Sequence, residues 1–195
     1  MPLEFAPFGS VFVIFEKRIP ETQNGAARVN AEVLTPAVKV AGPWTVHFDP
    51  KWGGPAAVQF AELIDWTKRP EDGIKYYSGT ATYSNTFRLN THGGQQVFLD
   101  LGDVKVVAEV RVNGKKMGIA WTRPYRVEIT SGVQGGENSL EIDVVNLWPN
   151  RMIGDGPLPP ERRFTKTNIP IYYEPKPQTL LPSGLLGPVT VLVGA

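Results

Sequence analysis

The chain has 195 residues, of which 42% are hydrophobic, enough to fill the core of one large domain. Its 20 Lys and Arg residues against 19 Asp and Glu leave a formal charge of +1, so no net field attracts nucleic acid or an anionic membrane, and we expect neither partner. Without cysteine, the chain has no disulfide framework, thiolate metal site or thiol nucleophile.

The first 18 residues combine a short apolar run with Pro7 and Gly9 and lack a basic start, so we expect neither a signal peptide nor a membrane span there. SVFVIF at 10–15 is the first predicted strand. It is either the terminal strand of a preceding domain or an added edge strand, which predicts a division into residues 1–18 and a main domain of residues 19–195.

A helix of one or two turns is predicted around residues 60–66, after Pro55. Beyond it, apolar and polar residues alternate as in half-buried strands; in the first of these, Ala81, Tyr83, Phe87 and Leu89 share one face. The predicted strands lie around residues 80–89, 97–101, 106–112, 125–129, 140–144 and 189–193.

The dipeptide Asn113-Gly114 separates two of these apolar runs and is typical of a two-residue hairpin, because both positions must accept a positive φ. Short strands, hairpins and sparse helical signal together predict an all-β fold. We expect two packed antiparallel sheets, that is, a β-sandwich or jelly roll with long ordered loops.

The longest predicted loop runs from residue 149 to residue 188 and is rich in proline. Its aromatic residues Phe164, Tyr172 and Tyr173 favour an ordered segment packed across the sandwich. It is entered through NLWPNRMIGD at 146–155, where we expect Asn146 or Leu147 to point inward and Pro149 to end the strand. Two readings of Arg151 and Asp155 stay open: they pair with each other, or they contact a ligand.

Catalytic motifs are largely missing. PSGLLG lacks the glycine spacing of a nucleophile elbow and is read as a turn before the last strand, and His47 and His92 lie in unrelated segments without metal-ligand spacing. The carboxylates Asp155, Glu161 and Glu174 share the long loop, so a hydrolase using a converging acid pair remains an alternative.

Aromatic residues are the more informative group, because five Trp and six Tyr residues include several in loop-like contexts. Sugar rings stack their C–H faces on exposed aromatic rings, while Asn, Asp and Arg side chains hydrogen-bond to hydroxyl groups. The alternative is that each aromatic ring is buried and closes the core at one end of the sandwich. The predicted contact set consists of Trp148, Asn150, Arg151, Asp155, Trp66, Tyr76, Tyr77 and Trp121.

Several motifs in the sequence resemble those of known carbohydrate-active enzymes. VRVNGKKMG, PYRVEIT and GENSLEIDVVN resemble the sugar-binding-type jelly roll of glycoside hydrolase family 2. GPWTVHFDPKWGGP, NLWPNRMIGD and LLPSGLLGPV also resemble, in this order, the C-terminal β-sandwich of family 106 α-L-rhamnosidase-like proteins.

The resemblance implies a galactose-binding-domain-like fold and a non-catalytic module that binds or positions plant or algal polysaccharide. It also implies a partner, the catalytic barrel domain of a parent enzyme, and a periplasmic or extracellular location. No catalytic residue is carried over, because the barrel that holds the acidic pair has no counterpart in this sequence. We expect no cofactor; a structural Ca²⁺ stays open, although the sequence has no diagnostic acidic loop.

A second hypothesis is purely structural. In it, the domain buttresses the barrel without sugar affinity and leaves an apolar patch exposed over Trp66, Tyr76 and Tyr77.

Overall fold

The computed structural model describes residues 5, 9–14, 16, 33–90, 94–168 and 179–194. The strands are β1 (Leu34–Lys39), β2 (Trp44–Phe48), β3 (Val58–Phe60), β4 (Thr80–Leu89), β5 (Val97–Asp100), β6 (Asp103–Lys105), β7 (Val107–Val112), β8 (Lys115–Ala120), β9 (Arg126–Glu128), β10 (Gly136–Val145), β11 (Gly184–Gly187) and β12 (Thr190–Gly194). The helices are α1 (Asp72–Lys75) and α2 (Pro149–Asp155), with 3₁₀ turns at Pro50–Trp52, Trp66–Lys68 and Pro160–Arg162.

The strands form two main antiparallel sheets. One has six strands in the order β3-β2-β4-β10-β7-β8, and the other has four in the order β1-β12-β5-β9, while β11 and β6 form a small two-stranded sheet. The prediction of an all-β fold with two packed antiparallel sheets is confirmed.

The core follows directly from the alternation in the sequence. In β4, residues Ala81, Tyr83, Phe87 and Leu89 are buried as predicted, and β4 pairs with β10 along ten residues of each strand. Because side chains alternate between the two faces of a strand, this pairing places Leu140, Ile142 and Val144 in the same buried layer. One continuous hydrophobic cluster joins this layer to residues of the four-stranded sheet such as Leu99 and Val191.

The predicted hairpin is confirmed. Strands β7 and β8 are joined by Asn113 with φ 50° and Gly114 with φ 75°, as a two-residue turn of this kind requires. The Asn113 side chain also donates to Gly132 O and to Asn138 Oδ1 and accepts from Ser139 N, so it ties the turn to the start of β10.

Three local predictions differ from the structure. The helix predicted over residues 60–66 is wrong: Phe60 ends β3 and turns into the core, and the Asp65 side chain instead caps the 3₁₀ turn at Trp66–Lys68 by accepting from Thr67 N. In the predicted strand at 10–15, residues 10–14 have no strand pairing and Phe15 lies outside the described residues. The long loop contains a helix that the sequence reading missed, because Pro149 does not merely end a strand but occupies the first turn of α2.

Some predictions fall on residues outside the described ones, namely His92, Tyr172, Tyr173 and Glu174. Most of the 1–18 segment does so as well, and the division at residue 18 stays a prediction. Within the described ranges, no helix is long and apolar enough to cross a membrane.

Candidate functional site

Seven of the eight predicted contact residues lie together at one end of the six-stranded sheet. There β2 ends, β4 begins and β10 ends, as the pairings Phe48 with Ala81 and Val145 with Thr80 show. We call this region the loop end and define it as residues 49–54, 65–79, 146–155 and 181–183.

Trp66 and Tyr77 form the aromatic floor of the loop end and have no exposed surface. The Trp66 indole N–H donates to the Tyr83 hydroxyl at 2.6 Å, and the Tyr77 hydroxyl donates to Thr80 O at 2.8 Å. The Phe48 ring lies 5.3 Å from the Trp66 ring and 4.9 Å from the Tyr77 ring in edge-to-face contacts.

Burial raises the pKa of Tyr77 and that of Tyr83, so both phenols remain neutral hydrogen-bonding groups. A residue other than glycine at Gly184, which has φ 101°, would place its Cβ 2.4 Å from the Trp66 indole nitrogen. Trp66 and Tyr77 are thus core residues that offer no ring face to a sugar, which removes the physical basis for their predicted stacking role. Of the apolar patch predicted over Trp66, Tyr76 and Tyr77, Trp66 and Tyr77 are therefore buried, and Tyr76 keeps part of its surface exposed.

Above this floor, Asn146, Asn150 and Ser183 form a buried hydrogen-bonded group. Asn146 Nδ2 donates to Tyr77 O and to Ser183 Oγ, and its Oδ1 accepts from Gly79 N. Asn150 Nδ2 donates to Leu181 O at 2.7 Å and its Oδ1 accepts from Leu181 N at 2.8 Å. The Asn150 amide is therefore engaged by the backbone of its own chain. The sequence predicted that Asn146 or Leu147 points inward. Asn146 does so, whereas Leu147 is exposed.

Arg151 and Asp155 pair within α2, as one of the two readings predicted. The distance from Arg151 Nε to Asp155 Oδ1 is 3.0 Å, the side chains are 5% and 0% exposed, and the contact is an ion pair without hydrogen-bond alignment. Asp155 Oδ2 accepts from the Thr165 N–H and hydroxyl at 2.7 and 2.6 Å. The Arg151 guanidinium also lies 4.8 Å from the centre of the Phe164 ring, so the pair fastens the residues after α2 onto the helix.

Three aromatic residues of the loop end keep solvent-exposed surface. Trp148 is 48% exposed and Trp52 is half-buried, and their ring centroids lie 5.1 Å apart at 73°. Tyr76 is half-buried against α2 so closely that a Cβ on Gly154 would lie 2.6 Å from it. We call Trp52 and Trp148 the tryptophan pair.

Trp121 is the predicted residue that does not join this group. It is 70% exposed and follows β8, which is separated from β10 by β7 in the six-stranded sheet. No hydrogen bond or ring contact connects it with the loop end in the described part of the chain.

The sequence reading missed the residues that hold the site together. Ser78 accepts from Arg151 N and donates to Leu147 O, and Ser183 hydrogen-bonds to both Asn146 and Asn150. The only sequence signal at each serine is the glycine that follows it. Nothing in the sequence signals the contact of Trp52 with Trp148, 96 positions away. Among the described residues, no group of three or more His, Asp or Glu side chains converges as metal ligands do.

Comparison with known proteins agrees with this architecture. Residues 67–154 match the family model described as the glycosyl hydrolase 2 galactose-binding domain-like family. The chain is 39% identical over 180 residues to a protein of Formosa agariphila named "Putative beta-glucuronidase", covering 80% of this chain and 16% of that protein.

Two solved structures illustrate the range of similarity. A rhamnosidase from Novosphingobium sp. PP1Y is 39% identical with a TM-score of 0.77, and the match covers 86% of this chain and 16% of that one. A β-D-glucuronidase of Dictyoglomus thermophilum has a TM-score of 0.56 at 20% identity over 85% of this chain and 28% of that one, which supports the fold alone. The chain thus spans about one sixth of the length of its 39% identical relatives, and its residues 67–154 match, as the resemblance predicted, the galactose-binding domain-like family of glycosyl hydrolase 2.

Proposed function

We propose that this chain is a non-catalytic accessory module of an α-L-rhamnosidase-like glycoside hydrolase and that its tryptophan pair contacts carbohydrate. The parent enzyme would act on plant or algal polysaccharide in the periplasm or outside the cell. The galactose-binding-like family and the 39% identical rhamnosidase support this proposal.

The observation that carries the carbohydrate contact is the geometry of the tryptophan pair. Two indole rings in edge-to-face contact hold each other's orientation, and Trp148 still exposes 48% of its surface at the end of the sandwich. An exposed aromatic ring of fixed orientation suits the apolar C–H face of a sugar, because little side-chain entropy is lost on binding.

The polar residues of the predicted contact set have a different role in this proposal. Asn150, Arg151 and Asp155 are buried and bind other parts of the same chain, so they position α2 and the start of the long loop. In this proposal they hold α2, which begins directly after Trp148, and do not contact sugar hydroxyls themselves. The same engagement argues against Asp155 as a catalytic acid, because its Oδ2 already accepts two hydrogen bonds from Thr165.

The partners of the proposed module are carbohydrate and the catalytic domain of the parent enzyme. We propose no cofactor for the module itself, and a structural Ca²⁺ is left to direct measurement of bound metal. Since the names of the two 39% identical relatives indicate different substrates, rhamnose-containing glycans form the main test set and glucuronic acid-containing glycans the comparison set.

The experiment is a titration of the chain with both glycan sets, followed by tryptophan fluorescence and calorimetry. We expect saturable binding to at least one glycan and its loss in Trp148→Ala and Trp52→Ala. The matched control is Trp121→Ala, which removes a more exposed indole outside the loop end and should leave binding unchanged. Absence of binding to every glycan at millimolar concentration would refute the carbohydrate contact.

A second candidate function is the purely structural role, in which the module buttresses a catalytic barrel without affinity for sugar. The observation that favours it is that the predicted polar contact residues are occupied within the chain, which leaves the tryptophan pair without neighbouring hydrogen-bonding groups from that set. Two results would together favour this candidate. The folded chain would bind no glycan, and the Trp148→Ala variant of the parent enzyme would be less stable to heat than the unmodified enzyme.

A further inference from the structure

A row of apolar side chains lies exposed on the outer face of the six-stranded sheet and reaches the loop end at Leu147. Val145 is 40% exposed, Leu147 53%, Ile119 58% and Trp121 70%, and the half-buried Val107 lies between them. We call these five residues the outer row. None of them belongs to the tryptophan pair or to the hydrophobic cluster of the core.

The strand register shows that the row is continuous. Val145 of β10 is paired with Val107 of β7, and Ala108 of β7 is paired with Ala120 of β8. Extending this register by one position places Trp121, which directly follows β8, opposite Val107. Because Ala108, Ala120 and Val144 point into the core, their neighbours in sequence point outward and lie about 5 Å apart across the strands.

The row is bordered by a cluster of charged residues on the same face. Arg111 forms ion pairs with Glu109, Glu141 and Asp143, and Lys116 pairs with Glu109. The cluster contains two positively and three negatively charged side chains, so it carries one net negative charge. Glu109 is paired across the strands with Ile119, which places the charge directly beside the row.

We infer that the outer row is the surface on which the module packs against the catalytic domain of its own enzyme. This inference rests on the proposed function and names the surface of that contact. The matching partner face is apolar and has a Lys or Arg at its edge, opposite the net negative cluster.

Two observations select this partner. The chain spans 16% of its 39% identical relatives, so the matched region of each relative is one module within a much larger chain. The row itself is mostly aliphatic and lies on a sheet face. An exposed Trp beside Ile, Val and Leu is typical of a protein interface.

The test is hydroxyl-radical footprinting of the intact glycoside hydrolase polypeptide that contains this chain, alongside the isolated 195-residue chain. We expect Trp121 and Ile119 to be oxidised several-fold more slowly in the intact polypeptide, while Trp148 stays reactive in both. We also expect Trp121→Ser to lower the melting temperature of the intact polypeptide without changing that of the isolated chain. Trp148→Ser is the matched control for melting.

Equal oxidation of Trp121 in the two samples would overturn the inference. So would a dimer of the isolated chain in sedimentation that Trp121→Ser dissociates, because the row would then bind a second copy. The carbohydrate contact fails separately, through unchanged glycan titrations of Trp148→Ala, and protection of Trp121 would then remain as evidence for the docking surface.

Discussion

Polar side chains are buried at the loop end, whereas apolar side chains are exposed on the outer face of the same sheet. At the loop end, Asn150, Arg151 and Asp155 are buried, and each is bound by other parts of the chain. On the outer face, Ile119 and Trp121 are exposed without comparable apolar cover. Residue type alone therefore does not identify a contact surface; the decisive property is whether a side chain already has its partners within the fold.

The largest expected effect comes from removing the floor of the loop end. Trp66→Ala deletes a fully buried indole and should lower the free energy of unfolding by about 3–5 kcal/mol. It also takes the indole donor away from the buried Tyr83 hydroxyl, which adds to the loss. Urea unfolding followed by circular dichroism measures the change.

Trp148→Ala is the comparison for this variant, because it removes the same side chain from an exposed position at the same end of the sheet. Its effect should stay below about 1 kcal/mol. Equal destabilisation by the two variants would mean that the distinction between core and surface tryptophans at the loop end is wrong.

Breaking the Arg151–Asp155 pair should have the next largest effect. Asp155→Ala leaves the buried Arg151 without its counter-charge and Thr165 without its acceptor, and we expect a loss of about 3–5 kcal/mol. Thermal and urea unfolding provide the measurement. Glu161→Ala, which removes an exposed carboxylate of the same loop, should change stability by no more than about 0.5 kcal/mol.

A smaller loss is expected from Asn150→Ala. The substitution leaves the N–H and C=O groups of Leu181 without their side-chain partner, at a cost of about 1–3 kcal/mol. Hydrogen exchange should show faster exchange of the Leu181 amide, whereas Asn90→Ala, at an exposed position, should leave it unchanged. A stable Asn150→Ala variant that loses glycan binding would instead return Asn150 to the ligand-contact set.

The sequence predicted the sheets well because their signals are local. The alternation in β4 and the Asn113-Gly114 turn depend on neighbouring residues, and both are confirmed. The loop end was predicted less completely, because its chemistry depends on long-range partners such as Asn146 with Ser183 and Trp52 with Trp148. Alternation also cannot distinguish a Trp in the floor, such as Trp66, from one at the surface.

The smallest expected effect concerns the charged cluster beside the outer row, where solvent shares in the interactions. Burial opposes ionisation of Asp143, but hydrogen bonds from Arg111 and Thr82 hold the pKa of its carboxyl below the ordinary value of 3.8. A carboxyl with a lowered folded-state pKa contributes stability above its unfolded pKa, and this stability is lost as the pH falls through the folded value. Asp143→Asn should therefore be less stable than the unmodified chain at neutral pH, and the difference should shrink below about pH 4. Urea unfolding at a series of pH values measures this convergence, with Glu161→Gln as the exposed control. If the difference in stability between the two chains instead stayed constant down to acid pH, the ionisation of Asp143 would contribute nothing to the stability of the fold. The net charge of the cluster would then act only on a docking partner.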